Sequence, residues 1–75
     1  MTARDVFTTY YGKRYRAVFV SSSRRKANVV AHSMNLRLRE DMDVKEKLVI
    51  LLEHDGNRHI VFVKCPYDKI VKQVK

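Results

Sequence analysis

The sequence predicts a small α+β single domain over residues 1–75, of ββαββα order, with two antiparallel hairpins in a sheet packed against one main helix and a short C-terminal helix. Three observations carry this. Gly12-Lys13 and Asp55-Gly56 each interrupt a run rich in β-branched and aromatic residues. Between the two runs, apolar residues recur at helical spacing. After Pro66 a second, shorter helical stripe appears.

The first hairpin is expected over residues 6–20, because Val6, Phe7, Thr8, Thr9, Tyr10 and Tyr11 face Tyr15, Val18, Phe19 and Val20 across Gly12-Lys13, and glycine at the first loop position suits a type II′ turn. That register sets Tyr10 opposite Tyr15, Thr8 opposite Ala17 and Val6 opposite Phe19. The other face then holds Tyr11 with Arg14, Thr9 with Arg16 and Phe7 with Val18, mixing aromatic rings with guanidinium groups.

Three serines end this pattern. Ala27, Val30, Ala31, Met34 and Leu38 follow as one stripe of an α-helix, with Ser22 or Ser23 as the N-cap. The helix ends near Asn35 or continues to Arg39, since Leu36 and Leu38 alternating with Arg37 and Arg39 also fit a short strand. An acidic link, residues 40–43, leads into the second hairpin, residues 47–54 and 58–64 around Asp55-Gly56. A two-residue loop there pairs Glu53 with Arg58, Leu51 with Ile60 and Val49 with Phe62, and it leaves Leu48, Ile50, Leu52, Val61 and Val63 on the opposite face. Both faces are apolar, so one helix cannot cover them. Pro66 opens the C-terminal helix, with Ile70, Val71 and Val74 as its stripe, Asp68 early, and Lys72 and Lys75 late, as the helix dipole favours.

Composition bounds the function. With 45% apolar residues, two Gly and one Pro, the chain is predicted to fold rather than remain disordered. A core this small has a thin stability margin, which dimerisation would supplement, so both monomer and homodimer are open. The lone Cys65 excludes an internal disulfide, and the absence of a secretory leader and of an apolar run near 18 residues predicts a soluble, cytoplasmic protein that avoids membranes.

Charge is the most informative property. Residues 4–39 carry nine Lys/Arg against one carboxylate, whereas residues 40–75 carry seven of each sign. A basic half attracts a polyanion whatever fold presents it. Arg24-Arg25-Lys26 is the sharpest cluster, because it occupies the positive end of the helix dipole, where cations are unfavourable; a phosphate there would meet free N–H groups, the hydroxyls of Ser21, Ser22 and Ser23, and three cations. The hairpin face of Phe7, Thr9, Tyr11, Arg14 and Arg16 is a second candidate, combining stacking rings with phosphate-binding groups.

The leading expectation is therefore a small, basic, non-catalytic nucleic-acid-binding protein that contacts DNA or RNA electrostatically. Arg14, Arg16, Arg24, Arg25, Lys26, Arg37 and Arg39 are its phosphate contacts, and Tyr10, Tyr11 and Tyr15 its stacking or positioning groups. The alternative is a regulatory or inhibitor module, of a size found in phage and mobile elements, that docks on a partner protein with an acidic surface.

Catalytic, metal and cofactor roles find no residues to carry them. Cys65 has no local activator, and the acidic link lacks the glycine and ligand spacing of a calcium loop. In the predicted register His54 and His59 are diagonal neighbours, yet two imidazoles fall short of a metal site, and His32 stands alone on the helix.

Overall fold

Successive segments of the chain form β1 (Phe7–Tyr10), β2 (Lys13–Ser21), α1 (Arg24–Met42), β3 (Val49–His54) and β4 (Arg58–Lys64) in a computed structural model that describes residues 6–65 and 67. The four strands make one antiparallel sheet in the order β1-β2-β4-β3, and α1 packs against β2, β4 and β3 on one face. The α+β class and the ββαββ order of the described part follow the sequence expectation. The C-terminal helix expected after Pro66 lies outside the described residues.

Both hairpins close differently from the sequence expectation. In the first, Tyr11 (φ 51°) and Gly12 (φ 74°) occupy the turn, both left-handed, so the loop is Tyr11-Gly12 rather than Gly12-Lys13. A left-handed tyrosine costs about 1–2 kcal/mol. Its edge-on contact with Tyr10, ring centroids 4.5 Å apart, offsets part of that. The pairs become Phe7 with Arg16, Thr8 with Tyr15, Thr9 with Arg14 and Tyr10 with Lys13. This is a shift of two residues, so Phe7, Thr9, Arg14 and Arg16 still share a face.

A bulge between Ala17 and Phe19 then breaks the alternation of β2. Tyr15 and Ala17 stay on the face away from α1, while Val18 and Phe19 both enter the core beneath it. The expected grouping of Phe19 with Tyr15 is thereby corrected.

The second hairpin turns over residues 55–57, with Asp55 (φ 56°) and Gly56 (φ 73°) left-handed. Three loop residues instead of two slip the register by one: Val49 pairs with Val63, Leu51 with Val61, Leu52 with Ile60 and Glu53 with His59. Because each strand is apolar on both sides, hydrophobicity does not select between the two registers, and the turn decides. Val49, Leu51, Val61 and Val63 face α1, and Ile50, Leu52, Ile60 and Phe62 the opposite side. His54 and His59 consequently fall on opposite faces, so they are not the neighbours the sequence suggested.

Helix α1 starts at Ser23, whose hydroxyl accepts from the Lys26 N–H at 3.2 Å. It runs past Asn35 and Arg39 to Met42 and stops at Asp43, left-handed at φ 52°. Glu40, Asp41 and Met42, expected in a link, are helical. Asn35 is no stop signal, because its Oδ1 accepts from the Leu48 N–H at 2.9 Å and ties mid-helix to the approach of β3. The strand alternative for Leu36 to Arg39 also falls: Leu38 is buried on the core stripe and Leu36 is exposed.

The core beneath α1 holds Val18, Phe19, Ala27, Leu38, Leu48, Val49, Val61 and Val63. A second cluster on the opposite face of the sheet contains Tyr15, Ala17, Ile50 and Phe62, flanked by Val6, Leu52 and Ile60. Among the described residues no helix lies over that second face.

Candidate nucleic-acid interface

Two ends of the molecule collect the basic residues. Strand β2 leads directly into α1, so Arg24, Arg25 and Lys26 sit at the end of the sheet that also carries the β3–β4 turn. The helix then runs back along the sheet for about 28 Å at 1.5 Å per residue. Arg37 and Arg39 accordingly approach the other end, where β2 begins with Lys13 and Arg14.

All three residues of the Arg24-Arg25-Lys26 cluster are exposed, and the first turn of α1 contains no acidic side chain. The serines are partly committed elsewhere. The Ser23 hydroxyl caps the helix, and Ser21 Oγ accepts from the Ser23 N–H at 3.0 Å. Both oxygens act there as acceptors, so the hydroxyl hydrogens remain available as donors beside the exposed cations.

At the other end, the Arg14 guanidinium lies 4.1 Å over the Phe7 ring, which fixes the arginine and covers a ring face that stacking would need. Arg16 is half-buried on the same side of the sheet. Tyr11 has left that face for the turn, where it is 87% exposed against the edge of Tyr10. Tyr15 is only 6% exposed and meets Tyr10 edge-on at 6.1 Å, so it braces Tyr10 and offers no open ring. Tyr11, partial burial and Tyr15 together raise the Tyr10 phenol above its ordinary pKa.

Residues 6–39 hold eight Lys/Arg and no carboxylate, and Lys45 and Lys47 of the second half meet no described carboxylate. Among the described residues, Lys64 pairs with Glu46 at 3.0 Å, and Arg58 and His54 pair with Asp55 at 2.9 and 3.2 Å, all within the electrically balanced half. Lys13, Arg14, Arg24, Arg25, Lys26, Arg37 and Arg39 engage no described carboxylate, even though Glu40 and Asp41 follow Arg37 by three and four residues.

Asp55 supplies a pH test of the second hairpin. The Arg58 hydrogen bond, with His54 nearby, holds its carboxyl below the ordinary value. A depressed carboxylate contributes stability above its unfolded pKa and loses it as pH falls through the folded value. Asp55→Asn is thus expected to flatten that part of the melting-temperature profile below about pH 4. Identical acid limbs for the two proteins in thermal melts would show that the ion pair does not form.

Other features carry less. Asn28, Ala31, His32, Asn35, Lys47, Val49 and Leu51 line a shallow hollow between α1 and β3. Among the described residues no group of three or more His, Cys, Asp or Glu could hold a metal ion, and no helix is long and apolar enough to cross a membrane. Cys65 is half-buried, and its N–H donates to the Arg14 carbonyl at 2.9 Å.

The outward stripe of α1, with Arg25, Val29, His32 and Leu36 all exposed, escaped notice in the sequence. It is the complement of the apolar stripe, and its signal is the pair Val29 and Leu36 at positions a buried face would not use. Compared with known protein families, curated proteins and solved structures, the chain matches none.

Proposed function

We propose that this chain is a small nucleic-acid-binding protein that acts without catalysis, holding phosphates with Arg14, Arg24, Arg25, Lys26, Arg37 and Arg39. The observation that carries the reading is the concentration of positive charge on residues 6–39, which contain no carboxylate and of which Lys13, Arg14, Arg24, Arg25, Lys26, Arg37 and Arg39 meet no described carboxylate. Holding like charges together on a small surface is unfavourable, and a polyanion relieves it. Tyr10 and Tyr11 flank the hairpin end as exposed rings able to meet bases or sugars.

A salt titration of fluorescent duplex and single-stranded probes tests this directly. Five or six phosphate contacts predict a log–log slope of about −4 to −5, at −0.9 per contact on duplex or −0.7 on a single strand. Failure to bind either probe at low salt would overturn the reading. It would favour instead a regulatory module that docks on another protein, for which the apolar sheet face bearing exposed Val20 beside Ile60 is the supporting feature.

A further inference from the structure

Resting on the nucleic-acid reading above, we infer that α1 enters the major groove of duplex DNA with its outward face. Arg25, Val29, His32 and Leu36 then face into the groove, and Arg37, on the flank of the helix, holds a phosphate of the groove wall. The helix lies lengthwise on the sheet with its core stripe turned inward, so Arg25, Val29, His32 and Leu36 form the surface farthest from the sheet, with Asn28 and Arg37 on its two flanks, and all six are exposed.

The dimensions agree. A helix about 10–12 Å across fits a groove about 12 Å wide and 8.5 Å deep. From Arg25 to Arg37 the axis rises about 18 Å along the groove, so the basic side chains near both ends of this stretch meet phosphates that border it.

The chemistry between those ends agrees as well. Val29 at 61% and Leu36 at 46% exposure have no packing role that explains them, and apolar side chains in a major groove contact thymine methyl groups. His32 offers a ring donor or acceptor beside them. No carboxylate occurs in α1 before Glu40, so the face presents no charge that would repel phosphate along its working length. Glu40 and Asp41 occupy the last turn and mark where the DNA must end. The same geometry selects DNA over duplex RNA, whose major groove is too deep and narrow for side chains to read.

The test uses the full chain with three labelled probes of one sequence: duplex DNA, duplex RNA and single-stranded DNA. Val29→Glu and Leu36→Glu, both surface changes, are expected to weaken duplex DNA binding about tenfold or more, and the single strand less. Leu36→Gln serves as an uncharged control with a smaller loss, and melting curves establish that each variant is folded. Unchanged duplex affinity in both Glu variants, or preference for duplex RNA, would overturn the groove assignment and leave the nucleic-acid reading standing. A change of oligomeric state in those variants by light scattering would also overturn it, by showing the stripe to be an interface between copies. Absence of binding to all three probes by the unaltered protein would remove the nucleic-acid reading itself.

Discussion

Replacing Arg24, Arg25 and Lys26 together by Glu is expected to weaken duplex binding at physiological salt by about 10²–10³-fold while leaving the protein folded. Each phosphate contact contributes about 0.9 to the salt slope, equivalent to somewhat under tenfold in affinity near 0.1 M salt. Three lost contacts therefore multiply to the stated range before repulsion by the new carboxylates is added. Folding should hold or improve, because the three side chains are exposed, meet no described carboxylate, and stand where the helix dipole favours acids. The Ser23 cap is untouched by the change. Titrations and thermal melts on the same samples separate the two effects. A lowered melting temperature would assign the cluster a structural role, and undiminished affinity would move the interface elsewhere.

The second large effect is on stability. Leu48→Ala is expected to cost about 3–5 kcal/mol, the range for burying a cavity in place of a leucine side chain. Leu48 is 0% exposed beneath α1. Its N–H bonds Asn35 of the helix and its carbonyl accepts from the Lys64 N–H at 2.8 Å, so helix, β3 and β4 all meet at this residue. A domain of 75 residues has roughly 4–11 kcal/mol in total. The variant should accordingly be largely unfolded at 37 °C or melt more than about 10 °C lower. Val29→Ala on the outward stripe is the matched control, expected within about 0.5 kcal/mol of the parent in urea denaturation. A cost below about 1 kcal/mol for Leu48→Ala would contradict the described packing of helix on sheet.

Most elements were legible from local pattern. The hairpin–helix–hairpin order, the inward stripe of Ala27, Val30, Ala31, Met34 and Leu38, and the shared face of Phe7, Thr9, Arg14 and Arg16 all follow from periodicities of two and 3.6 residues. The extent of α1 did not. Glu40 and Asp41 read as an acidic link, yet the helix continues through them, with Leu38 anchored in the core and Asp43 providing the cap. Among the candidate residues, the exposure of Arg24, Arg25, Lys26 and Arg37 was readable from their place outside the apolar stripe. The burial of Tyr15 was not, since a strand residue's face is known only once the neighbouring strand is placed.

The sequence by itself determined which segments become strands and helix and where positive charge accumulates, because both depend on the chain's own geometry and residue types. Only the structure decided the register of β3 against β4, the bulge at Ala17–Phe19 and the separation of His54 from His59 onto opposite faces. In each of these the two alternatives bury apolar side chains about equally well, so local hydrophobic pattern is indifferent and the choice passes to loop length and contact with α1. The outward stripe of the helix has the same origin: Val29 and Leu36 are ordinary apolar residues in the sequence, and only the seating of Ala27 and Leu38 on the sheet turns them to solvent.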